Sequence, residues 1–248
     1  MIAALRGILA ALALACGICT PALAQDVAGD DRAVFEAAAE AMRLRDHATA
    51  FDLFEVLAEK DLPEAQFIIA GLLWEGRGRT QNFRDALYWA WLAKLGTSVA
   101  VDALTLGITG DQESLLAAKR ALEENAQTGR AADAIIARIV PSVSVEQQAE
   151  IVARIATRLE AQLAEGRRDA VMKYAILKSE IMAEPDLETA YVWFSIGRAL
   201  GIIGAQEKLD AVADLMEDEM LLAAQTKAAE VFATSAFGNA GANRSVQP

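Results

Sequence analysis

Five short blocks of this sequence recur in the same order about a hundred residues apart. That repetition restricts the chain to architectures made by stacking one unit on the next. Ala50, Leu53, Leu57, Ala58 and Glu59 return as Ala156, Leu159, Leu163, Ala164 and Glu165, a spacing of 106. Ala65, Ala70, Leu72 and Glu75 return as Ala170, Ala175, Leu177 and Glu180, at 105. Ala86 and Trp89 return as Ala190 and Trp193, at 104, with Gly96 and Gly201 following. "ESLLAA" from Glu113 returns as "EMLLAA" from Glu219, again 106 away. The drift implies small loop insertions between helices. The expected plan is two copies of a five-helix unit, about 48–126 and 154–232, joined by "QTGRAADAIIARIVPSVSVEQQAE".

The local pattern agrees. Helical periodicity begins near Ala33 and runs to about Phe232, and no stretch alternates with period two for long enough to argue a strand. Ala and Leu, both strong helix formers, abound, and Pro occurs five times. Gly, Pro, Asp and Ser gather in short breaks such as "EKDLPE" at 59–64, "EGRGRTQN" at 75–82, "LGTS" at 95–98, "TGD" at 109–111, "TGR" at 128–130 and "PSVS" at 141–144. The expectation is an all-α chain of eleven or twelve helices over 33–232. A disordered leader at 25–32 and a small, polar, disordered tail at 233–248 flank it. Short helices of this kind gain their core by stacking hairpin on hairpin, as in a helical solenoid.

Residues 1–24 stand apart. Arg6 is followed by an apolar run from Ile8 to Ala15, and Ala22-Leu23-Ala24 ends the segment as a small-x-small cleavage pattern. This reads as a secretory signal peptide cut after Ala24. The alternatives are an uncleaved anchor, for which the run is short of the roughly 20 residues a span needs, and a lipoprotein tethered through Cys16. Both cysteines, Cys16 and Cys19, lie in this segment, so the mature chain would have no disulfide. Its 248 − 24 = 224 residues suffice for a core. Cleavage removes Arg6, leaving 22 basic against 35 acidic residues, a net charge of −13. Such an acidic body repels nucleic acid and anionic lipid. The expected location is the periplasm or the medium, with no stable membrane span after cleavage.

Residues 64–96, "EAQFIIAGLLWEGRGRTQNFRDALYWAWLAKLG", resemble a Sel-one-like repeat, a relative of the tetratricopeptide repeat. Ala65 and Gln66 match the opening of that pattern, Gly76 and Gly78 its G-x-G turn, and Ala86, Trp89, Ala93 and Gly96 its second helix. Departures are Ile69-Ala70 for the Leu-Gly pair, Leu73 for the first-helix Tyr, and Arg79-Thr80-Gln81-Asn82 for the usual Val-x-x-Asp. The second copy keeps Pro185, Asp186, Ala190, Trp193, Phe194 and Gly201 but lacks the G-x-G turn. The resemblance implies an α-hairpin solenoid, a right-handed superhelix without a common active site, that binds other proteins at bacterial envelopes.

The residues that invite chemistry are few. His47 is the only histidine and follows "RLRD" near a predicted helix end, where it would favour the C-terminal dipole. Without a second His or a mature Cys, a His-based metal site has nothing to build on, and no cofactor is expected. Carboxylates are plentiful at Glu55, Glu59, Asp61, Glu64, Glu217, Asp218 and Glu219. They sit at helix starts, turns and polar faces, yet a pair could serve an envelope hydrolase as acid and base, the competing reading. "GRGR" at 76–79 lacks the Lys and Ser or Thr of a phosphate loop.

One helix is apolar on two sides. Ala86, Trp89, Ala90 and Ala93 share a face, and Leu87, Trp91 and Leu95 lie roughly 160 to 200° round from it. Such a helix is either sandwiched or used for docking. The candidate protein-contacting residues are therefore Trp91, Leu87 and Leu95, with Arg77 and Arg79 of the neighbouring turn. The expected function is a non-catalytic scaffold for a protein or peptide partner.

Overall fold

The computed structural model describes residues 29–98 and 112–238. All regular structure among them is helical. No helix among the described residues is long and apolar enough to cross a membrane. The signal segment and the break at 109–111 lie outside them.

The chain divides into two units, one of residues up to Lys94 with 104–142, the other of 95–103 with 143 onward. The first contains α1 (Gly29–Arg43), α2 (His47–Glu59), α3 (Pro63–Glu75), α4 (Phe83–Ser98) as far as Lys94, and α5 (Gln112–Ile139). Helix α1 packs on α2, α2 on α3, and α3 on α5. The ends follow from local chemistry. Asp46 caps α2 by accepting the Thr49 N–H at 3.2 Å. Pro63 opens α3 where its missing N–H costs nothing. Gly76, at φ 69°, closes α3 in the left-handed conformation. The Asn82 side chain accepts the backbone N–H groups of Arg84 and Asp85, both at 3.1 Å, at the start of α4. Phe54, Leu57, Ile69 and Leu87 are fully buried. Phe35 stands edge-on to Phe54 at 5.5 Å. The buried Gln66 donates its side-chain N–H to the Ala58 carbonyl at 3.1 Å, tying α3 to the end of α2.

The second unit contains α6 (Val145–Ala164), α7 (Arg168–Ile176), α8 (Leu187–Ala199), α9 (Ala205–Ala213) and α10 (Asp218–Thr234). Helix α6 packs on α7, and α8 receives α7, α9 and α10. Ser144 and Gln147 form a reciprocal capping box at the start of α6. Helix α7 is buried on every side from Ala170 to Leu177. It runs on into a π-helical turn, Leu177–Ile181. Gly197 lets helices approach closely: a Cβ there would lie 3.2 Å from Met172 Sδ and 3.3 Å from Ala205 Cβ.

Several expectations need correction. Helix α1 begins at Gly29, inside the expected leader, with Asp31 paired to Lys60. The breaks at 95–98 and 128–130 are helical: the first ends α4, and the second lies within α5. Gly129 costs a helix interior about 1 kcal/mol, which a helix of 28 residues absorbs. Ten α-helices lie among the described residues. His47 is the first residue of α2, so it meets the positive end of that helix's dipole and not a C-terminus. Of the residues expected in the tail, Ala233 and Thr234 finish α10, and 236–238 form a further helical turn in which Phe237 is buried. The remainder of the tail, 239–248, lies outside the described residues.

The hairpin joints give the register between units. Asp61 (φ 66°) and Gly166 (φ 79°) are both left-handed. The next residue donates five positions back in each case, Leu62 to the Leu57 carbonyl at 3.2 Å and Arg167 to the Gln162 carbonyl at 3.0 Å. The two joints lie 105 residues apart, beside the spacing of 106 that residue identity gives for the neighbouring block. At a spacing of 105, buried Phe54 matches buried Leu159 in sequence position, and buried Ala58 matches buried Leu163. The start of the next helix corresponds at 104: Asn82 and Asp186 cap it, and Ala86 and Ala190 donate to their carbonyls, each at 3.0 Å. Between these points the second unit runs through the π-helical turn Leu177–Ile181, whereas the first ends α3 at Glu75 and turns at Gly76.

Candidate functional site

Helix α4 decides what remains of the predicted surface. Trp91 keeps 8% of its surface exposed, and Leu87 and Leu95 keep none. Tyr88, Trp89 and Leu92 are buried as well. These three apolar candidates are buried with the core. Trp89 meets Tyr88 edge-on at 5.1 Å.

Arg77 and Arg79 remain at the surface, each with a partner inside the first unit. Arg77 pairs with Glu75 at 2.8 Å. Arg79 pairs with Asp52, and its guanidinium lies 4.9 Å from the Phe51 ring centre. Gly78 between them, at φ 75°, lies against the start of α2: a Cβ there would overlap the His47 carbonyl. Gln81 donates to the Trp74 carbonyl at 2.7 Å. The G-x-G loop is thus a built joint between α2 and α3, and its two cations are part of the fastening.

His47 lies beneath this loop, half-buried, its Nδ1 without a hydrogen-bond partner among the described residues. Burial pushes its pKa down, Arg77 and Arg45 push the same way, and Glu75 and Asp46 oppose. It is held neutral by position. Among the described residues no group of three His, Cys, Asp or Glu side chains is arranged to hold a metal ion.

The carboxylates behave differently from one another. Glu217, Asp218 and Glu219 occupy the start of α10, where they complement its dipole. Glu64 is the exception. Burial raises its pKa, its own backbone N–H opposes this, and the negative charge of Glu124 adds to the rise. Glu124 is also raised by burial, against Arg120. Composition hides this pair, because Glu124 lies in helix α5, 60 residues further along.

The second unit assembles a cluster that periodicity did not mark. The Tyr174 hydroxyl donates to Glu160 at 2.6 Å. Burial and that carboxylate push the phenol pKa well up. Lys178 Nζ lies 5.3 Å from the Tyr174 ring centre and 3.7 Å from Asp186. Trp193 stands edge-on to Tyr174 at 5.8 Å, and Phe237 edge-on to Trp193 at 6.4 Å. Unlike buried Trp89, its counterpart, Trp193 is only half-buried. The recurrence of Trp193 was the available signal, but its covering by Phe237 was not legible. Comparisons with protein-family models, with curated proteins and with solved structures each return no match, so the likeness to Sel-one-like repeats rests on the residues quoted above.

Proposed function

We propose that this chain is a non-catalytic scaffold of α-hairpin repeats, exported to the bacterial periplasm or envelope, that holds a protein or peptide partner. The observation that carries this reading is the joint that recurs in both units. A left-handed residue, a bond five positions back and a capped following helix appear at 61–86 and again at 166–190. Duplication of one unit accounts for that recurrence. Stacked hairpins in a solenoid present side chains from successive helices on one continuous surface, and a rigid surface loses little entropy on binding. The signal segment supports export, and the acidic charge favours a basic partner or solubility.

With Trp91 in the core, the exposed apolar residues of the second unit are the better contact candidates. Leu215, Met220 and Leu222 fall within eight residues around the start of α10 and keep 71%, 43% and 66% of their surface. The test is recovery of envelope proteins by the mature chain and by a Leu215→Ser, Leu222→Ser variant of equal helicity. A partner held by the first and lost by the second is expected. Equal recovery by both, or none, overturns the assignment. Intact mass of the processed chain tests export: a start at Gln25 without lipid is expected, and a lipidated Cys16 would replace this with a tethered form.

A second reading, hydrolysis by a carboxylate pair, is favoured only by Glu64 and Glu124. Two carboxyls whose environments raise their pKa values are the arrangement acid–base catalysis uses. Hydrolysis of chromogenic glycosides by the mature chain, abolished in Glu64→Gln, would establish it.

A further inference from the structure

The end of the second unit is built unlike a helix that simply stops. Helix α10 ends at Thr234, and Ser235 turns extended, its N–H donating to the Val231 carbonyl and its hydroxyl to the Phe232 carbonyl, both at 2.9 Å. The chain then makes a further helical turn at 236–238. A Cβ on Gly238 would overlap the Phe232 carbonyl, so this position requires glycine. A Cβ on Gly166, at the α6–α7 joint, would come within 3.2 Å of Ala236 Cβ. The path is thus fitted to a small residue, a phenylalanine and a glycine in succession. Phe237 is its one large side chain, and its ring lies on Trp193.

The wall that receives Phe237 has the composition of a recognition site. Trp193 meets the Phe237 ring, Tyr174 stands edge-on to Trp193, and Glu160 and Lys178 hold Tyr174 from the polar rim. Aromatic anchors within a polar rim carry most of the energy in protein–peptide contacts. A short terminal segment fastened by one side chain also opens far more readily than the helices beneath it.

Building on the scaffold reading, we propose that Trp193 and Tyr174 form a recognition site for a partner peptide carrying a phenylalanine between small residues, and that Ser235–Gly238 occupies this site in the free protein. The tail is then an internal competitor. Tethering gives it an effective concentration on the order of millimolar, so only a partner that binds well displaces it.

The probe is a fluorescein-labelled peptide of residues 234–239, titrated by anisotropy into the mature chain and into its Phe237→Ala variant. Saturable binding at least about tenfold tighter to the variant is expected, with no binding of a peptide whose phenylalanine is alanine. A folded variant that ignores the peptide overturns the proposal. Should Phe237→Ala melt below the temperature of the assay, its thermal midpoint is measured with and without peptide. Restoration by the phenylalanine peptide supports an exchangeable occupant, and no restoration makes Phe237 fixed core and refutes it. Loss of this site leaves the Leu215–Leu222 recovery experiment unaffected, so the two readings fail separately.

Discussion

Gly78→Ala probes the seating of the G-x-G loop on the start of α2, and Gly204→Ala supplies its control. Both glycines are left-handed, at φ 75° and 81°. An alanine held there costs roughly 1 to 2 kcal/mol from its own Cβ against the backbone. Only their surroundings differ. Nothing lies within 4 Å of a Cβ at Gly204, whereas one at Gly78 overlaps the His47 carbonyl and sits 2.6 Å from its carbon and 3.0 Å from Ala48 N. These are main-chain atoms at the start of α2 and no rotamer relieves them. The loop or the helix must retreat, loosening the Arg79–Asp52 pair and the Arg79–Phe51 contact as it goes. Forcing bulk into a packed site adds about 1 to 3 kcal/mol, so Gly78→Ala should cost about 2 to 5 kcal/mol in all.

The assay is urea unfolding followed by far-UV circular dichroism. Tryptophan fluorescence reports mainly the first unit through Trp74, Trp89 and Trp91. Gly204→Ala should lower stability by only the strain common to both sites. If the two variants agree to within about 0.5 kcal/mol, the G-x-G loop is not seated on α2, and the assignment of Arg77 and Arg79 to the fastening falls with it.

Other outcomes follow from the same geometry. Trp91→Ala should cost about 3 to 5 kcal/mol in the same urea assay, and a change below about 1 kcal/mol would return Trp91 to the surface. Asp186→Ala removes the cap of α8 and should cost about 0.5 to 2 kcal/mol, measured as a lowered urea midpoint at unchanged slope. His47 has a folded pKa below its ordinary 6.5, so the unfolded chain takes up its proton first. Its stabilising contribution is complete above pH 6.5 and is lost as pH falls through and below that value, and His47→Gln should flatten this part of a thermal-midpoint profile. Glu64 has the opposite sign for an acid, a folded pKa above 4.5, so its ionised form destabilises at neutral pH. Glu64→Gln should raise the thermal midpoint at pH 7, and that advantage should shrink as pH falls through the folded pKa toward 4.5.

The all-α class was legible because helix punctuation is local. Asp46, Pro63, Gly76, Ser144 and Asp186 act through the nearest turn, and each stands where the sequence places a helix end. Register was less legible. In Ala- and Leu-rich helices identities arise easily one residue away, so the 106 spacing of Ala50 and Ala156 and the 105 spacing of the left-handed Asp61 and Gly166 compete. The latter two share a backbone conformation and no side-chain chemistry, which residue identity does not display. His47 was misplaced because the connection from α1 to α2 is only residues 44–46, so the end of one helix nearly coincides with the start of the next. The pairing of Glu64 with Glu124 depends on how α3 and α5 pack, which no local signal encodes.

The tryptophans carry the functional argument across the two units. In α4, Trp89 and Trp91 are both buried. In α8 the corresponding residues are Trp193 and Ser195, and both are only half-buried. Ser195 removes the second large apolar group, and Trp193 is capped by one ring from a segment beyond the last helix. The position that looked purely architectural in the repeat pattern is therefore the one left accessible to exchange. Trp89→Ala should then lower stability whether or not a peptide is added. Trp193→Ala should abolish capture of the residue 234–239 peptide by the Phe237→Ala chain, while adding little to the destabilisation that Phe237→Ala already causes. A large further loss of stability in that double variant would make Trp193 core like its counterpart.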